Sequence, residues 1–431
     1  MCEALLNSLF SDKKEILSLI IYFMQGSKNQ NHMLNFIKDN MKPDLLTHLQ
    51  PSCILLDKSA LECNIMYLRH IAGPDVRISS VIKGNAYGHG IDKFLPLAEK
   101  FGINHFSVFS ADEAFMALSA KKNSDTRIML MGMIRDSELA WAVENDIEFY
   151  VFEKGRLEAS VRASKKRGNR AKIHLQIETG MNRLGFKESE VSDILSFISK
   201  NREYLELTGV CTHFAGAESV ANHVRVHNQF EIFKRVVENS RKQFGFIPYA
   251  HASSSAALLT YPQMRFDMVR VGIAQYGFWP SSETYMHRLK QRENKTEDPL
   301  KRVISWKSEV MSTKWVDAGK FIGYGNVFLT NRKTRIATVP IGYTHGFGRN
   351  LTNTGYVLIR GVRAQVAGLV NMNMLTVDIT DIPGAQKGDE VVIIGKQGGQ
   401  DISVASFGEM SNNLNYEILT RLPNEIPRIV V

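Results

Sequence analysis

Short apolar runs alternate with longer stretches of helical period along most of this chain. From residue 51 the pairs are CILLD with SALECNIMYLRHIA, VRISSVIK with GIDKFLPLAEKFG, HFSVFS with ADEAFMALSAKK, RIMLMGM with RDSELAWAVEND, and EFYVF with KGRLEASVRASKKRG. KIHLQIET precedes EVSDILSFISKN, LELTGVCTHF precedes a long helical pattern ending in RKQFG, and the series closes on YAHASS and FDMVRVGIAQYGF. Strand and helix in alternation predict parallel βαβ units, because a parallel strand needs a long crossover and a helix supplies it. Close to eight such units predict a closed (β/α)8 barrel over residues 51–285. A doubly wound open sheet is the alternative, and no GxGxxG follows the first strand to support a dinucleotide fold.

The rhythm changes after a polar stretch, SSETYMHRLKQRENKTEDPLKRV (281–303). Beyond it VISWKSEVMSTKWV, KTRIATVPIGY, GYVLIRGVRAQVAGLV, MLTVDIT and DEVVIIGKQ are β-rich, with Gly-containing turns and almost no helical period. They predict a separate, mostly-β domain over 300–431, with one helix-like patch at VASFGEMSNN. Residues 1–50 precede the alternation. Their apolar run EILSLIIYFM is too short to span a bilayer, and no small-residue cleavage site comes directly after it. The segment reads as a short helical appendage rather than a secretory signal.

Composition narrows the partners. The net charge of +9 is modest over 431 residues, and the densest basic run, KKRGNR (165–170), lies between strand-like segments as a solvated loop would. Nucleic-acid binding is therefore a poor second reading, and a membrane partner is not expected. The four cysteines, Cys2, Cys53, Cys63 and Cys211, have no zinc spacing, so no metal is expected, and so few in a long chain suit a reducing cytoplasm.

Chemistry in a (β/α)8 barrel sits at the C-terminal ends of the strands. Lys83 ends an apolar run there. Partial burial lowers a lysine's pKa, and a neutral amine can form a Schiff base; by position alone, a strand-end lysine is more often merely solvated. His213, Arg183, His251 and Arg270 stand at or just past other strand ends. The backbone N–H groups of Gly272 and Ile273, with the hydroxyl of Ser255, offer a phosphate cradle at the mouth.

VIKGNAYGHG, IETGMNRLGF, THFAGAE, HASSSAALLTYP, FDMVRVGIAQYG, IGYGNVF and IGYTHGFGR occur in this order. Together they resemble the alanine racemase family of pyridoxal phosphate (PLP) enzymes, over residues 51 to about 428. The resemblance implies that Lys83 anchors PLP as a Schiff base and is one catalytic base. It implies phosphate contacts from Tyr87, Ser255, Gly272 and Ile273, Arg270 facing the pyridine nitrogen, His213 against the cofactor ring, and His251 orienting Arg270. Tyr324 matches the second base, which in the family reaches the site of the other subunit, so a homodimer with shared sites is implied. Tyr343 matches a residue at the entrance, while Met372 and Arg183 match residues that hold the substrate. The implied reaction interconverts L- and D-alanine, supplying a cell-wall precursor in a bacterial cytoplasm.

Several positions depart from the family pattern. Gln176 stands where a carbamylated lysine is common; its carbonyl is expected to accept a hydrogen bond from Arg183 without carrying charge. Asn373 replaces an aspartate, a change shared with members of wider substrate range. His345 replaces another aspartate, Phe328 a tyrosine, and Asn424 stands about where a phosphate-contacting tyrosine is expected. A racemase of broader specificity, acting on serine or longer side chains, is therefore an alternative. A PLP-dependent decarboxylase and a non-catalytic PLP-binding protein are further alternatives, against which the retained Lys83/Tyr324 pair and the whole β domain argue.

Overall fold

The computed structural model describes residues 50–245, 249–290, 297–411 and 414–431. Apart from Gln50, the appendage expected over 1–50 lies outside them. The chain divides into two compact units. Of the described residues, one comprises those within Asp57–Ile304 and Leu414–Leu422; the other comprises those from 50 to Leu56, from Ser305 to 411 and Pro423–Val431.

The first unit is a closed barrel of eight parallel strands in chain order. The strands are β2 (Arg77–Val81), β3 (His105–Val108), β4 (Arg127–Leu130), β5 (Glu148–Val151), β6 (Ala171–Gln176), β7 (Leu205–Cys211), β8 (Tyr249–His251) and β9 (Met268–Val271). β2 pairs with β9 to close the ring. The outer helices are α1 (Lys58–Ala72), α2 (Ile91–Lys100), α3 (Ala111–Ala120), α4 (Asp136–Glu144), α5 (Lys154–Arg167), α6 (Val191–Lys200), α7 (His223–Phe244), α8 (Ser255–Thr260) and α9 (Ser282–Lys290). Local chemistry starts them. The Asp57 carboxylate accepts from Ala60 N at α1, and the Ser110 hydroxyl accepts from Glu113 N at α3, each satisfying an otherwise orphaned N–H. α6 buries Val191, Ile194, Leu195 and Ile198, the stripe that its 3.6-residue period predicts. Among the described residues no helix is long and apolar enough to cross a membrane.

The second unit carries a seven-stranded sheet and a three-stranded sheet. The larger contains β1 (Cys53–Leu56), β10 (Ile304–Glu309), β13 (Tyr356–Ile359), β14 (Val362–Gln365), β16 (Glu390–Gln397), β17 (Gln400–Ile402) and β18 (Arg428–Val430). β11 (Ser312–Val316), β12 (Thr334–Val339) and β15 (Leu375–Asp378) form the smaller. Two helices follow β17, α10 (Val404–Ser411) and α11 (Asn415–Thr420), of which α11 belongs to the barrel unit.

Two placements differ from the alternation pattern. The first apolar run, CILL, does not open the barrel. It lies parallel to β18, with Ile54 opposite Arg428, because eight later strands already close the ring. And the chain returns to the barrel unit at 414–422, after the sequence has settled into β rhythm.

Candidate active site

Lys83 follows β2 and opens a five-residue turn, Lys83–Tyr87. From Gly84 (φ 63°) the backbone is left-handed through Asn85 (φ 51°), Ala86 (φ 54°) and Tyr87 (φ 50°). Left-handed helix costs a non-glycine residue roughly 1–2 kcal/mol, so neighbours must hold it. Glu113 of α3 does so: one carboxylate oxygen accepts from Gly84 N (2.6 Å), the other from Phe109 N (2.8 Å). Asn85 Oδ1 accepts from Ile91 N (2.9 Å) at the start of α2. Beneath the lysine, Val81 O accepts from Gln275 Nε2 and from the Tyr276 hydroxyl, both at 3.0 Å. The lysine thus leaves a clamped strand end.

Burial pushes the Lys83 ammonium below the usual lysine range; Arg183 and Arg270 push the same way, against Glu113. The same cations surround His213, just past β7. Burial, then Arg270, Arg183 and Lys83, hold its pKa down to about 3, so the ring stays neutral. Arg270 on β9 donates to His251 Nδ1 (2.5 Å), Thr212 O (2.7 Å) and Ala252 O (3.0 Å). Its guanidinium is held by three acceptors.

Next to these cations lies a cradle. The Ser255 hydroxyl accepts from Gly272 N (3.0 Å) and Ala274 N (3.4 Å). A Cβ added to Gly272 would lie 2.6 Å from the Tyr87 hydroxyl, so glycine is what lets tyrosine, serine and backbone converge. Ile273 follows, buried. N–H and O–H groups converging beside lysine and arginine fit a phosphate.

A residue that the sequence did not single out joins them. The Tyr416 ring, on α11, lies 6.0 Å from that of Tyr87, and Tyr276 lies 4.9 Å away on the same ring. Burial pushes the Tyr416 phenol up to about 12, so it is a donor at any ordinary pH. Asn424 remains at the position where the tyrosine was expected, and Tyr416, one element earlier, is the tyrosine that packs against Tyr87. Its only sequence signal was a tyrosine in a short helical pattern, NYEILT, because the return of the chain to the barrel is not visible locally.

Arg183 sits in the loop after β6. Its backbone N–H donates to Glu178 Oε2 (3.2 Å), and Thr179 and Thr212 join hydroxyls at 2.8 Å below the loop. Gln176 does not meet the expectation of an acceptor for Arg183. Its amide donates to Leu184 O (3.4 Å), and among the described residues no hydrogen bond joins the two side chains. The loop carbonyl is simply nearer.

Tyr324, Tyr343 and Met372 belong to the other unit and line an open cavity of about 430 Å³ with Arg349 and Asn373. Tyr324 lies outside the strands. It caps a loop between Ile322 and Phe328, joined by Ile322 N to Phe328 O (3.0 Å), and is 73% exposed. Phe328, where the family has a second tyrosine, packs on Ile322, Ile336 and Ala367. Tyr343 and Met372 lie on adjoining strands of backbone: Tyr343 N donates to Asn371 O (3.0 Å) and Thr344 N to Met372 O (3.1 Å). Asn373 Nδ2 donates to Thr344 Oγ1 (3.2 Å), and His345 Nδ1 accepts from Gly342 N (3.1 Å). Both substituted positions thus brace this loop pair.

A closed (β/α)8 barrel with a desolvated lysine at a strand end, a phosphate cradle beside it, and a mostly-β unit after it define a barrel-type lysine enzyme. The chain belongs to the alanine racemase family: the model for the N-terminal domain of alanine racemase matches residues 56–280, and that for the C-terminal domain matches 303–430. The alanine racemase of Leptospira interrogans is 36% identical over 387 residues, covering 88% of this chain and 96% of that protein. That of Methanococcus maripaludis is 34% identical over 376 residues, covering 87% and 97%. Among solved structures, alanine racemase from Bacillus anthracis with bound L-Ala-P superposes with a TM-score of 0.80 at 29% identity, covering 89% of this chain and 95% of that one. Alanine racemase from Bartonella henselae with covalently bound pyridoxal phosphate gives 0.75 at 26%, covering 89% and 100%.

Proposed function

We propose that the protein interconverts L- and D-alanine with PLP held on Lys83. The observation that carries this is the desolvated lysine on a clamped turn, beside a cradle of Tyr87, Ser255, Gly272 and Ile273 that fits the cofactor phosphate. Bound there, PLP supplies an electron sink for the charge left on an amino acid's α-carbon when its proton is removed. Racemisation needs a proton taken from one face of that carbon and another returned to the opposite face. Lys83, its pKa lowered by burial and two arginines, serves one face. The phenol of Tyr324 from a partner subunit serves the other. Arg270 would donate a fixed N–H to the pyridine nitrogen of a bound cofactor, which would disfavour its protonation and restrain charge build-up, and neutral His213 would pack against the cofactor ring. Arg183 and the backbone at Met372 hold the substrate carboxylate, with Tyr343 at the entrance.

Exposed apolar side chains around Tyr324 support a head-to-tail homodimer. Met372 and Met374 line the same cavity as Tyr324 and are exposed, as are Phe321, Val327 and Leu329 of the loop that carries it, and exposed apolar surface of this kind marks protein–protein contacts. The cytoplasm is the compartment this reading implies, with D-alanine destined for cell-wall precursors. A broader substrate range is the second reading, favoured by Asn373, which puts an amide rather than a carboxylate on the cavity rim.

Both are tested by incubating the protein and PLP with single L-amino acids in heavy water and following optical rotation and α-deuteration together. Exchange and loss of rotation with alanine alone is expected. Comparable rates with serine or longer side chains establish the broad reading, and no exchange with any amino acid refutes racemisation.

A further inference from the structure

The interior of a (β/α)8 barrel is ordinarily filled by bulky branched apolar side chains. Here it holds a continuous polar chain. Arg270 NH1 faces His251 Nδ1 at 2.5 Å, and His251 Nε2 faces His174 Nδ1 at 2.9 Å. His174 Nε2 meets Glu148 Oε2 at 2.8 Å, and the same oxygen meets His105 Nε2 at 3.2 Å. His105 Nδ1 continues to Ser79 Oγ (2.8 Å), which touches Ser107 Oγ (2.5 Å). Glu148 is 4% exposed and the three imidazoles 1% or less. The five strands β2, β3, β5, β6 and β8, together with β9, each contribute to it. None of these groups except His251 and Arg270 has a part in the function described above.

We propose that Glu148 is a positioning residue that orders the protons of His174 and His251 and thereby holds Arg270 as a fixed hydrogen-bond donor at the barrel mouth. A neutral imidazole carries one N–H and one lone pair, so each ring passes on the direction of the bond it receives. A carboxylate only accepts. His174 must therefore carry its proton on Nε2, which leaves Nδ1 as acceptor. His251 Nε2 must then donate to it, which turns the lone pair of His251 Nδ1 toward Arg270. The guanidinium can only donate, so the direction set by Glu148 is the one that Arg270 requires. The reversed order would set two N–H groups against each other at the Arg270 end. On the other arm, His105 Nε2 donates to the same oxygen and Nδ1 accepts from Ser79. All three rings are thus in the Nε2–H form.

Burial raises the pKa of the Glu148 carboxyl, but the bonds from His105 and His174 outweigh it and hold it well below the usual range. Burial and Arg270 hold His251 well below the ordinary imidazole value. The Glu148 carboxylate and the Arg270 guanidinium are thus linked through His174 and His251. Buried charges persist only when compensated and hydrogen-bonded. Interposed imidazoles supply the compensation without placing a carboxylate at the mouth, where it would compete for the Arg270 N–H groups.

The ordering stands on the apoprotein; its link to the cofactor rests on the reading of Arg270 given above. The test uses full-length protein labelled with 15N-histidine. Two-bond 15N–1H correlation spectra of the cofactor-free protein identify each tautomer, with signals assigned from single His→Asn variants. The expected result is Nε2–H for His105, His174 and His251. A proton on Nδ1 of His251 or His174, or a doubly protonated His251, overturns the proposal with no variant needed. Glu148→Gln is expected to give mixed tautomers at His174 and His251, to shift the visible band of bound PLP, and to weaken PLP binding by roughly tenfold or more. Glu148→Asp, which keeps the charge, is expected to recover the single tautomer. A Glu148→Gln protein with unchanged tautomers, band and affinity also overturns it. A wild-type protein with the stated tautomers that takes up no PLP supports the ordering and refutes the functional reading instead.

Discussion

Gly88 is the residue where the lysine turn meets the returning chain, and Gly88→Ala tests that junction. Gly88 is left-handed, with φ 77° and ψ −3°. A Cβ there would lie 1.9 Å from the carbonyl oxygen of Leu419 and 2.9 Å from its carbon, both backbone atoms of α11. Alanine in the left-handed region costs about 1–2 kcal/mol. Relieving the overlap requires α11 to move by about an ångström, and Leu419, fully buried, must leave its packing; overpacking of this kind costs typically about 1–3 kcal/mol. The sum is on the order of 2–5 kcal/mol, and at about 2–4 °C per kcal/mol a domain of this size should melt on the order of 10 °C lower. The same shift carries Tyr416 away from Tyr87. Scanning calorimetry of the cofactor-free protein reads the first effect, and fluorescence titration with PLP reads the second, expected as a loss of roughly tenfold. Unchanged melting together with unchanged PLP affinity would refute the argument that α11 packs on the turn and braces the cradle.

Lys83→Ala should abolish the visible band of the lysine–PLP linkage and all α-deuteration; a retained band would move the anchor elsewhere. Tyr324→Phe should keep the band yet slow exchange from one enantiomer more than from the other, and equal wild-type rates in both directions would remove it from the mechanism. Growth with and without bicarbonate should leave residue 176 at the mass of an unmodified glutamine, as a peptide mass spectrum will read. Acid should destabilise the cofactor-free protein early. His213 has a folded pKa of about 3 against an unfolded value of about 6.5, so the unfolded chain binds more protons between these limits. Its contribution is complete above about pH 6.5 and is lost as pH falls toward the folded value. His105 and His251 are shifted the same way, as is Glu148 below the carboxylate range. Urea unfolding at stepped pH should show His213→Asn with a shallower acid slope than wild type; an equal slope would count against a neutral His213.

Much of this molecule was legible before any coordinates. Alternating apolar and helical periods depend on neighbours in the chain, so the barrel strands and the change to β rhythm after residue 303 could be read directly. So could Lys83, because glycines and an asparagine announce a turn right after an apolar run. The rest depends on distance in space. CILL has the pattern of any half-buried strand, and only ring closure by eight later strands sends it to pair with β18. Tyr416 stands more than three hundred residues from Tyr87, and only the return of 414–422 to the barrel brings their rings within 6.0 Å. Glu148 opens a short strand as a solvated acid would, and nothing beside it in the chain hints at burial. Its partners, His105 and His174, come from two other strands of the barrel. Local sequence carries periodicity and turn chemistry, since these act within a few residues. The proton order in the barrel, the brace on the lysine turn and the cradle arise where separate elements meet, and the tertiary structure alone decides that.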